Sequence, residues 1–278
     1  MSYLLASGDS FTDFNFISCI VPKYDQLFSR WPDLLGKQIG ISEVVNVGKS
    51  GASNTFIFNK CYDEISKRKP KLVCVLITDW SRHSVFDSYF CDVVNLISTE
   101  YIASMGQFPP GISSLSDWLD GDEIPLAMAK WLWANELSVK DIVNNNMREI
   151  WLFQNFCQHN NINYIIMSAM DPVRVQQLHF LNKYSANDQG IADLSNYIKE
   201  ILKSPHTDKL DKGTLLGWPF FKEIGGYSVS SNLWDSANEK NQKVYIHQEG
   251  DNHPNGLGHQ IIADMFYKGY QDIYGKIS

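Results

Sequence analysis

Apolar residues in this chain fall in short runs, and the polar residues between them mark where each run ends. Tyr3-Leu4-Leu5-Ala6 stops at Gly8-Asp9-Ser10, which predicts a buried strand followed by a tight turn. Trp31 to Ile39 predicts a helix, with Pro32 in its first turn and Gly40 past its end. Glu43 to Val47 is short and β-branched, a second strand. Ser53 stands as the N-cap of a helix reaching about Arg68, where Lys69-Pro70 stops it. Leu72 to Ile77 is unbroken apolar sequence, as expected of a central parallel strand covered on both faces.

The alternation of strand and helix over these residues predicts a doubly wound sheet. Residues 80–124 break the rhythm with Pro109-Pro110-Gly111 and Ser-rich turns, and read as an insertion at the carboxyl edge. Ser138 to about His159 predicts the longest helix, with Val139, Ile142, Val143, Met147, Ile150 and Cys157 near one face. Trp131, Trp133 and Trp151 fit core packing better than a sugar-stacking platform. Ile162 to Met167 is a fourth strand, closed by Asp171-Pro172. Residues 175–203 read as helical in two pieces split near Gly190. The stretch 204–236 is rich in Gly, Pro, Ser and aromatics and is too long for an ordinary loop, which suggests a second insertion or a lid. Gly256 to about Tyr270 predicts a terminal helix. The pattern holds no repeat and no interdomain linker, so residues 1–278 are expected to form one domain.

Composition narrows the function classes. At 44% hydrophobic and 13% aromatic residues, the chain has ample material for a core and is not a disordered segment. A net charge of −7 argues against a nucleic-acid partner and against anionic membranes. No apolar run approaches the ~20 residues of a membrane span. Cys19, Cys61, Cys74, Cys91 and Cys157 are odd in number and unpaired in spacing, which fits a reducing compartment better than a disulfide scaffold. The first strand leaves no room for a signal peptide ahead of it, so a cytoplasmic location is expected, with virion association as the alternative.

Three separated stretches carry candidate chemistry: Gly8-Asp9-Ser10, Asn46-Val47-Gly48-Lys49-Ser50-Gly51, and Asp251-Asn252-His253-Pro254. Together they resemble the GDSL, or SGNH, hydrolase superfamily. Its first block is matched by Gly8, Asp9 and Ser10, its second by Asn46, Gly48 and Gly51, and its last by Asp251 and His253. Trp31-Pro32-Asp33-Leu34-Leu35 is similar to the segment opening the family's first helix. The resemblance implies an α/β fold: a three-layer α/β/α sandwich on a flavodoxin-like doubly wound parallel sheet, with loop insertions. It implies a Ser-His-Asp triad of Ser10, His253 and Asp251, with Glu249 as the alternative orienting carboxylate, and no cofactor or metal. His247, His253 and His259 lack a recognised zinc spacing, and His259 is expected to cap or pack the terminal helix.

By the same resemblance, the oxyanion donors are the backbone N–H groups of Ser10 and Gly51 and a third-block asparagine. That block departs here. The strand ends Ile77-Thr78-Asp79-Trp80-Ser81-Arg82, without an asparagine, and an ionised Asp79 only accepts hydrogen bonds. Asn54 is the candidate replacement, with Thr78 the weaker one. Asp9, Thr78 and Arg82 are candidate substrate contacts, although Arg82 is expected to pair with Asp79 or Asp87. This form of the third block is similar to those of bacteriophage and marine bacterial sequences. The implied activity is a carboxylic ester hydrolase acting through an acyl-enzyme on a small ester or acylated glycan, with O-acetyl groups on a carbohydrate favoured. The alternatives are a glycan-binding or virion structural protein on the same fold, and an O-acyltransferase.

Overall fold

The computed structural model describes residues 2–18, 21, 27–80, 82–87, 92–96, 139–172, 188–247 and 251–275. Strand β1 spans Tyr3–Ser7, helix α1 Trp31–Gln38, β2 Glu43–Asn46, α2 Asn54–Lys67 and β3 Leu72–Ile77. A hairpin follows, β4 His83–Asp87 with β5 Asp92–Leu96. Helix α3 is Val139–His159, β6 Asn163–Ser168, α4 Asp188–Lys203, β7 Leu215–Leu216 and α5 Val229–Asn238. The chain closes with β8 Tyr245–His247, β9 Asp251–Pro254 and α6 Gly256–Tyr274.

The main sheet is five-stranded and wholly parallel, in the order β2-β1-β3-β6-β7. Side chains alternate across it, as the two-residue period of a strand requires. Leu5, Val73, Val75, Ile77 and Ile166 point to one face and pack with Phe58, Met147 and Phe153 from α2 and α3. Leu4, Ala6, Cys74, Leu76 and Ile165 point to the other, against Trp31 and Leu35 of α1, Leu233 of α5 and Phe266 of α6. Two cores on two faces make the expected three-layer sandwich, and each fully buried aliphatic side chain contributes about 1.5–3 kcal/mol. The chain leaves β1 for α1 on one face and passes from β3 to α3 on the other, so the strand order reverses between β1 and β3, and it is beyond the carboxyl ends of such strands that open α/β sheets collect ligands.

Local signals fix the boundaries. Ser53 caps α2 by accepting from Phe56 N–H at 3.3 Å. Asn255 caps α6, accepting from Leu257 N–H at 2.9 Å and Gly258 N–H at 3.1 Å while its amide holds Tyr245 O at 3.0 Å. That cap ties α6 to the β8–β9 hairpin.

Helix α4 begins at Asp188, two residues before Gly190, and the first of the two expected helical pieces lies outside the described residues. One expectation needs correction. Residues 204–236 are not a lid or a loose insertion: they supply β7, whose Leu215 and Leu216 pair with Ile166 and Met167, and α5, whose Val229 and Leu233 are fully buried. Ser, Gly and Pro are frequent there because three short 3-10 turns link these pieces. Of the 80–124 insertion, the β4–β5 hairpin is described; residues 97–138, with Trp131 and Trp133, lie outside the described residues, as do Cys19 and Cys91. Trp151 packs against the core, and Cys61, Cys74 and Cys157 are buried free thiols, with burial pushing Cys61 up to about 12. Among the described residues, no helix is long and apolar enough to cross a membrane.

Candidate active site

The turn after β1 is built by its own side chains. Asp9 Oδ1 accepts from Phe11 N–H at 3.0 Å, and Asp9 O accepts from Thr12 and Asp13 N–H at 2.8 and 2.9 Å. This sharp reversal lifts Ser10 above the end of the strand. The second-block loop folds against the turn: Asn46 Nδ2 donates to Thr12 O at 2.7 Å, and Asn46 Oδ1 accepts from Gly48 N–H at 2.9 Å. A Cβ on Gly8 would lie 2.2 Å from Thr12 Oγ1, so glycine is needed for this close approach. Asp13 Oδ2 accepts from Ser50 N–H at 2.9 Å and Ser50 Oγ–H at 2.6 Å, which pins the far side of the loop.

Asp251 and His253 arrive from the other end of the chain, on β9. Two residues apart on an extended strand, they share a face. His253 Nδ1 lies 2.5 Å from Asp251 Oδ1, which also accepts the His253 backbone N–H at 3.0 Å. His253 Nε2 lies 2.9 Å from Ser10 Oγ. A proton held on Nδ1 by the carboxylate leaves Nε2 as an acceptor, so the serine hydroxyl donates to it. The three predicted catalytic residues therefore form one continuous hydrogen-bonded line. Glu249, the alternative carboxylate, lies outside the described residues.

The surroundings hold this line in one orientation. Phe16 stacks on the imidazole with centroids 4.0 Å apart, and Phe11 meets it edge-on at 5.7 Å. Ser18 Oγ–H donates to Asp251 Oδ2. Burial by itself raises the Asp251 carboxyl, but the hydrogen bonds from His253 and Ser18 outweigh it and bring the group below its ordinary value of 3.8. Neither Ser18 nor Phe16 was singled out in the sequence. Both lie in a stretch without periodicity, and only the fold brings them beneath Asp251 and over His253.

His259 stands apart from the reacting groups. It is 1% exposed, and burial, with Arg30 and His253 nearby, lowers its pKa to about 3. Its Nδ1 lies 3.3 Å from Trp31 N, at the start of α1, and its Nε2 lies 3.1 Å from Arg30 Nη1. The expectation that it caps or packs α6 is thus met in a different way: it belongs to α6 but braces the first turn of α1. Among the described residues, no three His, Cys, Asp or Glu side chains converge as a metal-binding group.

The remaining predicted contacts gather where the loops after β1, β2 and β3 meet, with altered roles. The backbone N–H groups of Ser10 and Gly51 have no acceptor among the described residues. Gly51 is in the left-handed region at φ +77, with open space where a Cβ would stand, so conformation and not crowding demands the glycine. Asn54 has no amide proton to spare, contrary to the expectation that it replaces the missing donor. Its Nδ2 donates to Asn146 Oδ1 at 2.7 Å and Thr78 O at 3.2 Å, while its Oδ1 accepts from Thr78 N–H at 2.7 Å. It braces the end of β3 against α3. Thr78 Oγ–H is also committed, to Asp9 Oδ2 at 2.8 Å. Arg82 Nη1 meets Asp9 Oδ2 at 3.2 Å, while the side chain of Asp87, one of the two expected partners, lies outside what is described. Asp9 is fully buried and holds this network together, which leaves no face for a substrate.

No family model matches the chain, and no curated protein matches it in sequence. Several solved structures are similar over nearly its whole length at low identity. A protein described as a lipolytic protein of the G-D-S-L family, from Desulfitobacterium hafniense, is 14% identical, with 97% of this chain and 99% of that one covered and a TM-score of 0.44. An acetylxylan esterase from Geobacillus stearothermophilus is 14% identical, with 96% and 93% covered and a TM-score of 0.42. An α/β hydrolase from the metagenome of Lake Arreo is 15% identical, with 98% and 96% covered and a TM-score of 0.42.

Proposed function

We propose that this protein is a serine hydrolase that cleaves carboxylic esters through an acyl-enzyme. The observation that carries the proposal is the unbroken line from Ser10 Oγ through His253 to Asp251, with spacings of 2.9 and 2.5 Å. A serine hydroxyl is a weak nucleophile at neutral pH unless a base takes its proton as it attacks. His253 Nε2 accepts that proton as Ser10 Oγ bonds to the ester carbonyl carbon. Asp251 holds the ring in the required tautomer and stabilises the imidazolium. The N–H groups of Ser10 and Gly51 donate to the developing oxyanion. His253 then returns the proton to the departing alcohol, leaving the acyl group on Ser10. Water enters, gives a proton to His253 as its oxygen attacks the acyl carbon, and the acid leaves as Ser10 regains its hydrogen.

An acetyl ester on a carbohydrate is the proposed substrate class, following the motif resemblance. The defining test is turnover of p-nitrophenyl acetate by wild type and Ser10→Ala, with fluorophosphonate labelling of Ser10. Loss of both turnover and label in the variant supports the reading. A wild type that shows neither would instead leave a binding protein on a hydrolase fold. Acetate release from acetylated xylan, set against an acetylated non-sugar alcohol, tests the carbohydrate preference.

A further inference from the structure

Arg82 touches all three loops that meet at Ser10. Its backbone N–H donates to Asp79 O at 3.3 Å, which fixes it in the loop after β3. Its Nη1 reaches Asp9 Oδ2 at 3.2 Å in the loop after β1, and Ala52 O at 3.4 Å in the loop after β2. Asp9 immediately precedes Ser10, and Ala52 immediately follows Gly51. One guanidinium therefore grips the neighbour of each N–H assigned to the oxyanion. The contact is shielded: the Arg82 side chain is 10% exposed and that of Asp9 0%. Asp9 is further fixed by Phe11 N–H and Thr78 Oγ–H, so the guanidinium pulls against an immobile carboxylate.

We infer that Arg82 is a positioning residue that holds the Ser10 and Gly51 N–H groups at their working separation, in a chain whose turn after β3, Thr78 to Arg82, carries no side-chain amide in its sequence. This rests on the esterase reading above. With two donors where three are usual, the cost of misplacing either one grows, and a displacement of 1 Å at a reacting centre can cost about 10²-fold in rate. Arginine suits the task because the two protons of Nη1 are held in the rigid guanidinium plane, one available to each loop. Lysine, a point charge on a flexible stem, keeps the charge beside Asp9 without fixing the directions of its donors.

The test uses the full chain and p-nitrophenyl acetate, with the reactive fraction counted by fluorophosphonate labelling. Arg82→Ala is expected to lower kcat by about 10²-fold with KM changed less than about threefold, since ground-state binding does not use the oxyanion donors. Arg82→Lys is expected to fall between the two. Added guanidinium at millimolar concentration is expected to restore part of the Arg82→Ala rate where equal urea does not, a readout that loss of folding would not give. In the Asp9→Asn/Arg82→Ala double variant, which leaves no buried carboxylate uncompensated, kcat is expected to stay low. The inference is overturned if kcat in Arg82→Ala stays within about threefold of wild type, if neither lysine nor guanidinium restores any rate, or if the double variant recovers full kcat. A wild type that neither turns over nor labels overturns the esterase reading itself, and this inference with it.

Discussion

Lowering the pH from 7 to 5 is expected to cost the folded chain about 2 kcal/mol through His259 alone. In the fold the ring is buried, its pKa lies at about 3 against an ordinary 6.5, and both its nitrogens face donors, Trp31 N–H and the Arg30 guanidinium. A neutral imidazole accepts through one nitrogen only, so protonation would turn that one accepted contact into N–H against N–H and put a second positive charge beside Arg30. Between pH 6.5 and 3 the unfolded chain therefore binds a proton at this position that the folded chain refuses. Stability falls as pH falls through that window, by about 1.4 kcal/mol per pH unit once the unfolded ring is charged. Because pH 5 lies well above the folded-state value, the size of the loss is set by the ordinary one. For a chain of this size about 2 kcal/mol corresponds to roughly 4–8 °C in Tm. The assay is urea or thermal unfolding of wild type and His259→Gln at pH 7, 6 and 5. The variant is expected to be less stable at pH 7, where it loses the brace on α1, and the gap is expected to shrink by about 2 kcal/mol at pH 5. Other titrating groups cancel in the comparison. A gap that stays constant to within about 0.5 kcal/mol would refute the reasoning.

Two further variants test the site. Asp251→Asn is expected to lower kcat on p-nitrophenyl acetate by about 10³–10⁴-fold with little change in KM, because the amide no longer holds the His253 tautomer. The depressed Asp251 carboxyl stabilises the fold above its ordinary value of 3.8, and this contribution fades as pH drops below that value, so unfolding curves of wild type but not of Asp251→Asn should carry it. Asn54→Ala is expected to lower stability by about 1–3 kcal/mol for each buried group it orphans, Thr78 N–H foremost, while kcat falls by less than the 10²–10³-fold of a lost oxyanion donor. A variant with unchanged Tm and a kcat loss of that size would return Asn54 to the oxyanion hole.

Four of the main sheet's five strands were legible, β3 most plainly, because a parallel strand covered on both faces must be apolar throughout, as Leu72–Ile77 is. Helix starts were legible where a side chain does the capping, as Ser53 does. Ser10, Asp251 and His253 could be read from short motifs because their chemistry depends on residue type and local turn. What stayed hidden depends on partners distant in the chain. Asn54 carries no mark of its link to Asn146, 92 residues on, and without that partner its amide looks available. Arg82 has acidic neighbours in sequence, yet its guanidinium also pairs with Asp9, 73 residues away, which nothing local announces. Leu215 and Leu216 are too short a run to announce a strand, and become one because Ile166 and Met167 offer an open edge. His259 was legible as a packing residue of the terminal helix, but its contacts with Arg30 and Trp31, more than 220 residues back, were not.

The placement of Asp251 and His253 on one strand has a consequence for how this protein can vary. Two residues of extended chain turn a side chain through a full cycle, and one residue turns it through half. Inserting or deleting a single residue between them would swing the carboxylate to the opposite side of the ribbon, towards solvent and away from both the ring and Ser18. As long as the segment stays a strand paired with β8, a gain or loss of one residue would have to be absorbed by a bulge that restores parity; otherwise the segment would have to leave the strand to bring the carboxylate back to the ring.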